Sequence, residues 1–439
     1  MKRIYEPAAY GPQGACFWAD TVPPDDWPTL PGPRHTEVAV IGGGFTGLSA
    51  ALHLAQDGVG VTVLEADHAG YGASGRNGGF CCLGGAKASG ASLRRSYGAK
   101  GLKDWRATEK AAINTVAGLI EAHGINADSH SEGETLIAHN ARAFEKLKAG
   151  VEETQTDYGV TPRLIEMEDM AAEGLGGPFF GALTTPLGFA LNPRKYHAGL
   201  ARAAQSAGAT LHAHSPVTSL KNNGTWRLQT PHGTLTADRV LLATNGYSSE
   251  DLPDWLRGRY LPVQSSVIVT EPLSDARKAA QGWTSHQMAY DTRFLLHYFR
   301  LMPDNRFLFG MRGGLTARPG SQAAISRKIR ADFTQMFPGW RDVALTHEWA
   351  GLVCLMASLT PFAGPVPGHP SLFAGMGYHG NGVAMASHTG MILADLMQGK
   401  APRAPLPEAM RHPPRRFPLG RFRRALLAPA YATASLFDL

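Results

Sequence analysis

Three glycines set the first piece of chemistry. Gly42, Gly44 and Gly47 stand between a short apolar strand, EVAVI at 37–41, and a helical stretch at 45–58. Gly42 permits a tight turn, Gly44 lets the backbone approach a pyrophosphate, and Gly47 lets helix and strand pack closely. Phe45 and Thr46 open the helix, whose free N–H groups and dipole favour negative charge. Glu65, followed by Ala66, ends the strand at 60–65, eighteen residues after Gly47. A carboxylate there accepts hydrogen bonds from a ribose diol and repels a 2′-phosphate. The unit predicts a bound dinucleotide and disfavours NADP.

Two further loops point the same way. Tyr71-Gly72-Ala73-Ser74-Gly75-Arg76-Asn77-Gly78-Gly79 offers backbone N–H groups and small side chains to a flat ring. Gly375 to Val383, including Gly377, Tyr378, His379, Gly380, Asn381 and Gly382, leads into a final helix at 383–397. A helix N-terminus aimed at a ring stabilises negative charge on it. His379 reads either as a donor to the ring or substrate, or as a capping histidine. In His297-Tyr298-Phe299-Arg300, alternation puts His297 and Phe299 on one face and Tyr298 and Arg300 on the other. Arg312 closes the next strand. Both arginines suit a substrate carboxylate or a structural ion pair.

The elements that position these groups alternate strand and helix. Helices are expected at 101–123, 140–158, 193–208 and 321–337, and strands at 210–220, 225–230 and 239–244. Residues 259–316 read as β-rich, with Pro303-Asp304-Asn305 as a hairpin turn. Residues 1–35 read as an arm laid over the surface. The expected fold is α/β: a Rossmann-type domain from 1–90, 192–250 and 350–439, with a β-rich α+β substrate domain inserted as 91–191 and 251–349.

Charge excludes one class of partner. Residues 400–424 carry Lys400 and seven arginines against Glu408, for +7, so the other residues sum to −1 of the total +6. The body has no nucleic-acid footprint. Residues 411–427 mix Arg with Phe and Leu, and read as a clasping arm or as a contact with an anionic membrane surface. Cys16, Cys81, Cys82 and Cys354 form no CxxC and no zinc spacing, so no metal is expected. The start of the chain has no continuous apolar run of secretory type. A cytoplasmic location follows, with the tail allowing a place at the inner-membrane surface.

The chain resembles the D-amino-acid-oxidase-like family of FAD enzymes, and more closely its branch containing γ-glutamylputrescine oxidoreductases. The resemblance spans roughly residues 10–425. It rests on GGGFTGLSAALHL, LEA, GYGASGRNGGF, RVLLATNGY, HYFRL, RFLFGMR and GMGYHGNGVAMAS. It implies that Gly42, Gly44 and Gly47 hold the FAD pyrophosphate and Glu65 the adenosine ribose. Ser74, Arg76 and Asn77 would lie along the flavin, with Gly78 and Gly79 letting the chain pass close. Val217 would meet adenine, and Ala243, Thr244, Asn245 and Gly246 would pass beside the phosphates. Tyr298, Arg300, Arg312 and His379 would form the substrate side.

The implied reaction is hydride transfer to flavin N5 from the carbon next to a neutral amine, followed by hydrolysis of the imine. The amine is a γ-glutamyl polyamine, an N-methyl amino acid or a D-amino acid. The electron acceptor is oxygen or another molecule. Some relatives attach FAD through a Cys before a Thr-Pro turn; Cys354 is out of register with that motif, so non-covalent FAD is expected. Some use a Lys near the flavin for oxygen, and no Lys occurs between His286 and Thr316. Two other functions fit the same residues: a membrane-surface D-amino-acid dehydrogenase coupled to a quinone, and a FAD-binding protein without turnover. An RNA-linked amine conflicts with the charge of the body.

Overall fold

The computed structural model describes residues 2–11 and 14–437, with side chains to residue 433. Two large sheets organise the chain. In the first, Gly32–Ile41 pairs in parallel with Val61–Leu64, which pairs with Thr210–His212. On its other side Gly32–Ile41 pairs in parallel with Gly233–Leu242. Leu372–Ala374 extends that sheet in parallel at Val240–Leu242. Next to the glycine turn the strand segments Val38–Ile41 and Val61–Leu64 are buried and mostly apolar, as a sheet covered on both faces requires.

Three helices cover the site side of this sheet: Phe45–Gln56, Pro193–Ser206 and Gly382–Met397. The first and last cross at close range. A Cβ on Gly390 would stand 2.4 Å from the Thr46 carbonyl oxygen, and the Ser49 hydroxyl donates to the Ser387 carbonyl at 2.7 Å. Asn192 caps Pro193–Ser206 through its side chain, with Pro193 in the first turn, the pairing that favours a helix start.

The second sheet runs, in spatial order, through Leu345–Met356, Tyr260–Thr270, Phe307–Arg312, His297–Leu301, Met288–Asp291, Glu134–Ile137, Ala182–Thr185 and Arg163–Ile165. One face buries an aromatic core in which Phe307 lies 4.7 Å, centroid to centroid, from both Phe337 and Trp340. Phe299 joins that core, so Tyr298 is directed to the opposite face, as alternation predicts.

Several expected boundaries shift. The helix expected at 140–158 is two, Ala141–Ala149 and Val151–Tyr158, meeting at Gly150. The helix expected at 101–123 begins at Gly90 and is interrupted at Gly98, whose φ is +71°. Leu345–Met356 crosses the expected boundary at 350 and pairs within the second sheet. The N-terminal arm is partly ordered: Gly14–Ala15 joins the edge of that sheet and Phe17–Thr21 is helical.

The basic tail is largely tied down. Arg403 bonds Asp57 and Asp395, Arg423 pairs with Glu250, and Arg424 pairs with Glu6 and caps the Tyr5 ring. Among the described residues, no helix is long and apolar enough to cross a membrane.

Candidate active site

A cavity of about 570 Å³ lies between the two sheets. Its floor is the glycine turn. Gly42 has φ +108°, and a Cβ there would stand 2.7 Å from the Ala243 carbonyl oxygen. A Cβ on Gly47 would stand 2.0 Å from the Gly42 carbonyl oxygen. Gly47 therefore serves close packing of helix on strand and does not line the cavity. The Ser74 hydroxyl accepts from the Phe45 N–H at 3.0 Å, which ties the second loop to the helix start.

Glu65 sits beside this turn. Its carboxyl accepts from the Gly43 N–H at 2.9 Å and from the Asp67 N–H at 3.2 Å. Burial pushes its pKa up despite these N–H donors. The His197 ring donates from Nε2 to the Gly43 carbonyl at 2.7 Å, and burial lowers its pKa to about 4.

The 71–79 loop is braced from behind. Asn77 donates to the Ala73 and Ser74 carbonyls and accepts from the Gly79 N–H. Trp18 and Trp349 donate to the Asn77 and Arg76 carbonyls. Arg76 donates to the Tyr71 carbonyl at 2.6 Å. The loop thus presents a pre-set, small-residue wall to the cavity.

Most of the expected cofactor residues line this one cavity: Gly42, Gly44, Phe45, Thr46, Glu65, Ala66, Gly72, Ala73, Ser74, Arg76, Asn77, Gly78, Val217, Ala243, Thr244, Tyr378, Gly380, Asn381, Gly382 and Val383. The floor without Cβ atoms, the helix N-terminus and the Glu65 carboxyl at the strand end fit an extended dinucleotide carrying a flat ring. Gly79, Gly246 and Gly377 stand behind the wall. A Cβ on Gly79 would strike the Leu191 carbonyl, and one on Gly377 would strike Met356. Gly246 packs against Leu352.

Two residues expected on the substrate side, His379 and Arg300, do not line the cavity. His379 is buried behind the loop with both ring nitrogens engaged: one bonds the Gly85 carbonyl at 2.9 Å, and Nε2 accepts from the Met356 N–H at 3.1 Å. Burial first lowers its pKa to about 4. Arg300 shares Tyr298's side of the strand, yet the Gly79–Phe80 segment shields it from the cavity. Its guanidinium donates to the Leu191 carbonyl at 2.7 Å and stacks on Trp18 and Phe80.

A testable consequence follows for His379. His379→Ala leaves a buried N–H and carbonyl unpaired, so it should cost about 2–4 kcal/mol, read as a lower Tm. Because the folded pKa lies below the ordinary 6.5, the stability that His379 and His197 contribute is present above pH 6.5. It should decline as pH falls from there toward 4. Melting curves at pH 7 and pH 5 measure both effects; equal Tm values at the two pH values would refute the assignment.

Tyr298 and Arg312 face the cavity. Tyr298 rests over Gly310 and Gly78. Its hydroxyl lies 3.0 Å from that of Ser265, which donates to the Met311 carbonyl. The Arg312 guanidinium reaches the Asn381 side chain at 3.5 Å, beneath Gly380. Burial lowers its pKa, and among the described residues no carboxylate pairs with it.

Sequence reasoning missed Lys87. Its side chain lines the cavity and is exposed. The charge of Arg312 first, then burial, lowers its pKa to about 7. Two basic groups thus share one end of the cavity. Lys87 lies in an aperiodic stretch, FCCLGGAKASG, and only the tertiary fold brings it to Arg312. Cys354 is buried, and burial pushes its thiol pKa up to about 12, so it is an inert packing group. Acid precipitation should leave a colourless pellet and a yellow supernatant. A yellow pellet would show a covalent flavin.

Comparison with known proteins places the molecule. Residues 37–396 match the DAO family model, FAD dependent oxidoreductase, and the chain belongs to this family. It is an FAD-dependent oxidoreductase. The chain is 34% identical over 434 residues to "Probable oxidoreductase OrdL" of Rhizobium meliloti (strain 1021), covering 97% of each. It is 29% identical to the gamma-glutamylputrescine oxidoreductase of Escherichia coli (strain K12), covering 88% of each. Among solved structures, glycine oxidase from Geobacillus kaustophilus superposes with a TM-score of 0.70 at 19% identity, covering 86% of this chain and 99% of that one.

Proposed function

We propose that the enzyme oxidises a small amine that carries a carboxylate, with Arg312 and Lys87 receiving the carboxylate and Tyr298 beside the reacting carbon. The carrying observation is the pair of basic groups at one end of the cavity, with no carboxylate partner among the described residues. A buried guanidinium without a counter-ion is costly, and a substrate carboxylate relieves that cost through a two-pronged bond. The name of the Escherichia coli relative favours a γ-glutamyl polyamine, whose glutamyl end supplies such a group.

In this reading the FAD pyrophosphate lies on the Gly42–Gly44 turn, Glu65 holds the ribose, and the flavin lies against residues 72–78 and the Gly382 helix start. Bound FAD supplies the two-electron acceptor. The protein's own share is orientation and exclusion of water: Arg312 fixes one end of the substrate, and Tyr298 and Gly78 wall the other. Comparing γ-glutamylputrescine with its carboxamide analogue tests this. The carboxylate form should show kcat/KM higher by roughly a hundredfold, about 3 kcal/mol; equal values would refute the assignment.

A further inference from the structure

Amine oxidation of this kind has an unassigned need. A small amine reaches the site mainly as its ammonium ion, with a pKa of about 10 by analogy with lysine, and hydride leaves only from the carbon next to a neutral nitrogen. One proton must go first. The groups facing the cavity differ in where their hydrogen bonds end. The Tyr298 hydroxyl leads to Ser265, and Ser265 ends on the Met311 carbonyl, which takes no proton. Lys87, in the reading above, faces the substrate carboxylate, which would hold it cationic.

Tyr290 differs. It lines the active-site cavity and also a second cavity of about 290 Å³. Its hydroxyl donates to the Glu134 carboxylate at 2.7 Å. The sheet builds this pair: Met288–Asp291 runs parallel to Glu134–Ile137, with Met288 opposite Glu134 and Tyr290 opposite Leu136. Glu134 and Leu136 share a face, so Tyr290 and Glu134 meet diagonally on one side.

We infer that Tyr290 and Glu134 form a proton path from the bound amine to the second cavity. The inference rests on the amine-oxidising reading above. The ammonium N–H gives its proton to the Tyr290 oxygen as Tyr290 passes its own to Glu134. The carboxylic acid then loses that proton to solvent in the second cavity. One proton enters and one leaves, and no electrons move in this step.

The surroundings of Glu134 fit the task. It is buried, and its other oxygen accepts from the Leu83 N–H at 2.9 Å. No cation pairs with it among the described residues. Its neighbour Glu109, by contrast, is neutralised by Arg106 and bonded by Tyr158. Tyr290, Tyr158, Glu109, Cys81 and Cys82 are the other titratable groups facing it. Burial raises its pKa to about 7, so the proton-accepting carboxylate form is lost as pH falls through about 7.

Anaerobic stopped-flow reduction of the holoenzyme tests the path, using the fastest reductant among γ-glutamylputrescine, N-methylglycine and D-alanine. Glu134→Gln can accept from the Leu83 N–H and donate to the Tyr290 oxygen, but it accepts no proton; Tyr290→Phe removes one oxygen. Each should reduce about a hundredfold more slowly than wild type at pH 8, the factor by which an amine of pKa about 10 is protonated there. Each should come within about twofold at pH 10, where the amine arrives neutral. Flavin content and Tm are read first; if Glu134→Gln lacks flavin, Tyr290→Phe carries the test. An unchanged rate at pH 8, or the same loss at both pH values, overturns the path and leaves the amine reading standing. Failure of every amine to reduce the wild type overturns both.

Discussion

Replacing Arg312 with Met should lower kcat/KM for a carboxylate-bearing amine by roughly a hundredfold, about 3 kcal/mol. Arg312 closes the strand Phe307–Arg312 and points under Gly380 into the cavity. It has a weak 3.5 Å contact with Asn381 and no acidic partner among the described residues. Its loss therefore breaks little within the fold and, in the proposed reading, removes the group that receives the substrate carboxylate. The effect should fall mainly on KM, because a carboxylate remote from the reacting carbon is bound alike in ground and transition states.

Lys87 partly compensates. Arg312 is the largest cause holding its pKa near 7, so without Arg312 the lysine keeps its proton to higher pH. The double replacement with Lys87→Met should then cost more than the two single effects added. Steady-state kinetics on the four proteins measures this. Unchanged KM in Arg312→Met would place the carboxylate elsewhere.

Gly42→Ala should yield a colourless protein. The residue has φ +108°, and its added methyl would stand 2.7 Å from the Ala243 carbonyl. The obstructing atoms are backbone just past the buried end of the strand Gly233–Leu242, so they do not yield cheaply. Left-handed strain alone costs about 1–3 kcal/mol, and the turn must also open away from the pyrophosphate. FAD affinity should fall by roughly a hundredfold or more, read as the flavin-to-protein absorbance ratio and by titration of the apoprotein. A fully yellow Gly42→Ala would remove the turn from the cofactor site.

The contrast between these residues shows what the sequence can convey. The turn at 42–47 is legible because its conformation is local: glycine spacing, an apolar strand before and a helix after define it. Arg312 is legible because it ends a strand of clear alternation. Arg300 obeys the same alternation; what hides it is the Gly79–Phe80 segment, from a distant part of the chain. His379 stands in a glycine-rich loop at the cavity, but the Gly85 carbonyl and Met356 N–H capture its ring. Lys87, Tyr290 and Glu134 carry no local pattern: Lys87 comes near Arg312 only through the tertiary fold, and Tyr290 meets Glu134 only because the sheet pairs their strands. The split of the 140–158 helix turned on one glycine, Gly150, whose helix-breaking tendency is only about 1 kcal/mol.

The central claim is that this FAD enzyme takes electrons from a carboxylate-bearing amine. Anaerobic titration of the purified yellow protein with γ-glutamylputrescine, N-methylglycine and D-alanine tests it most directly. At least one should abolish the visible flavin absorbance in wild type, and the same amine should do so far more slowly in Arg312→Met. If the flavin stays oxidised with all three, the claim is contradicted.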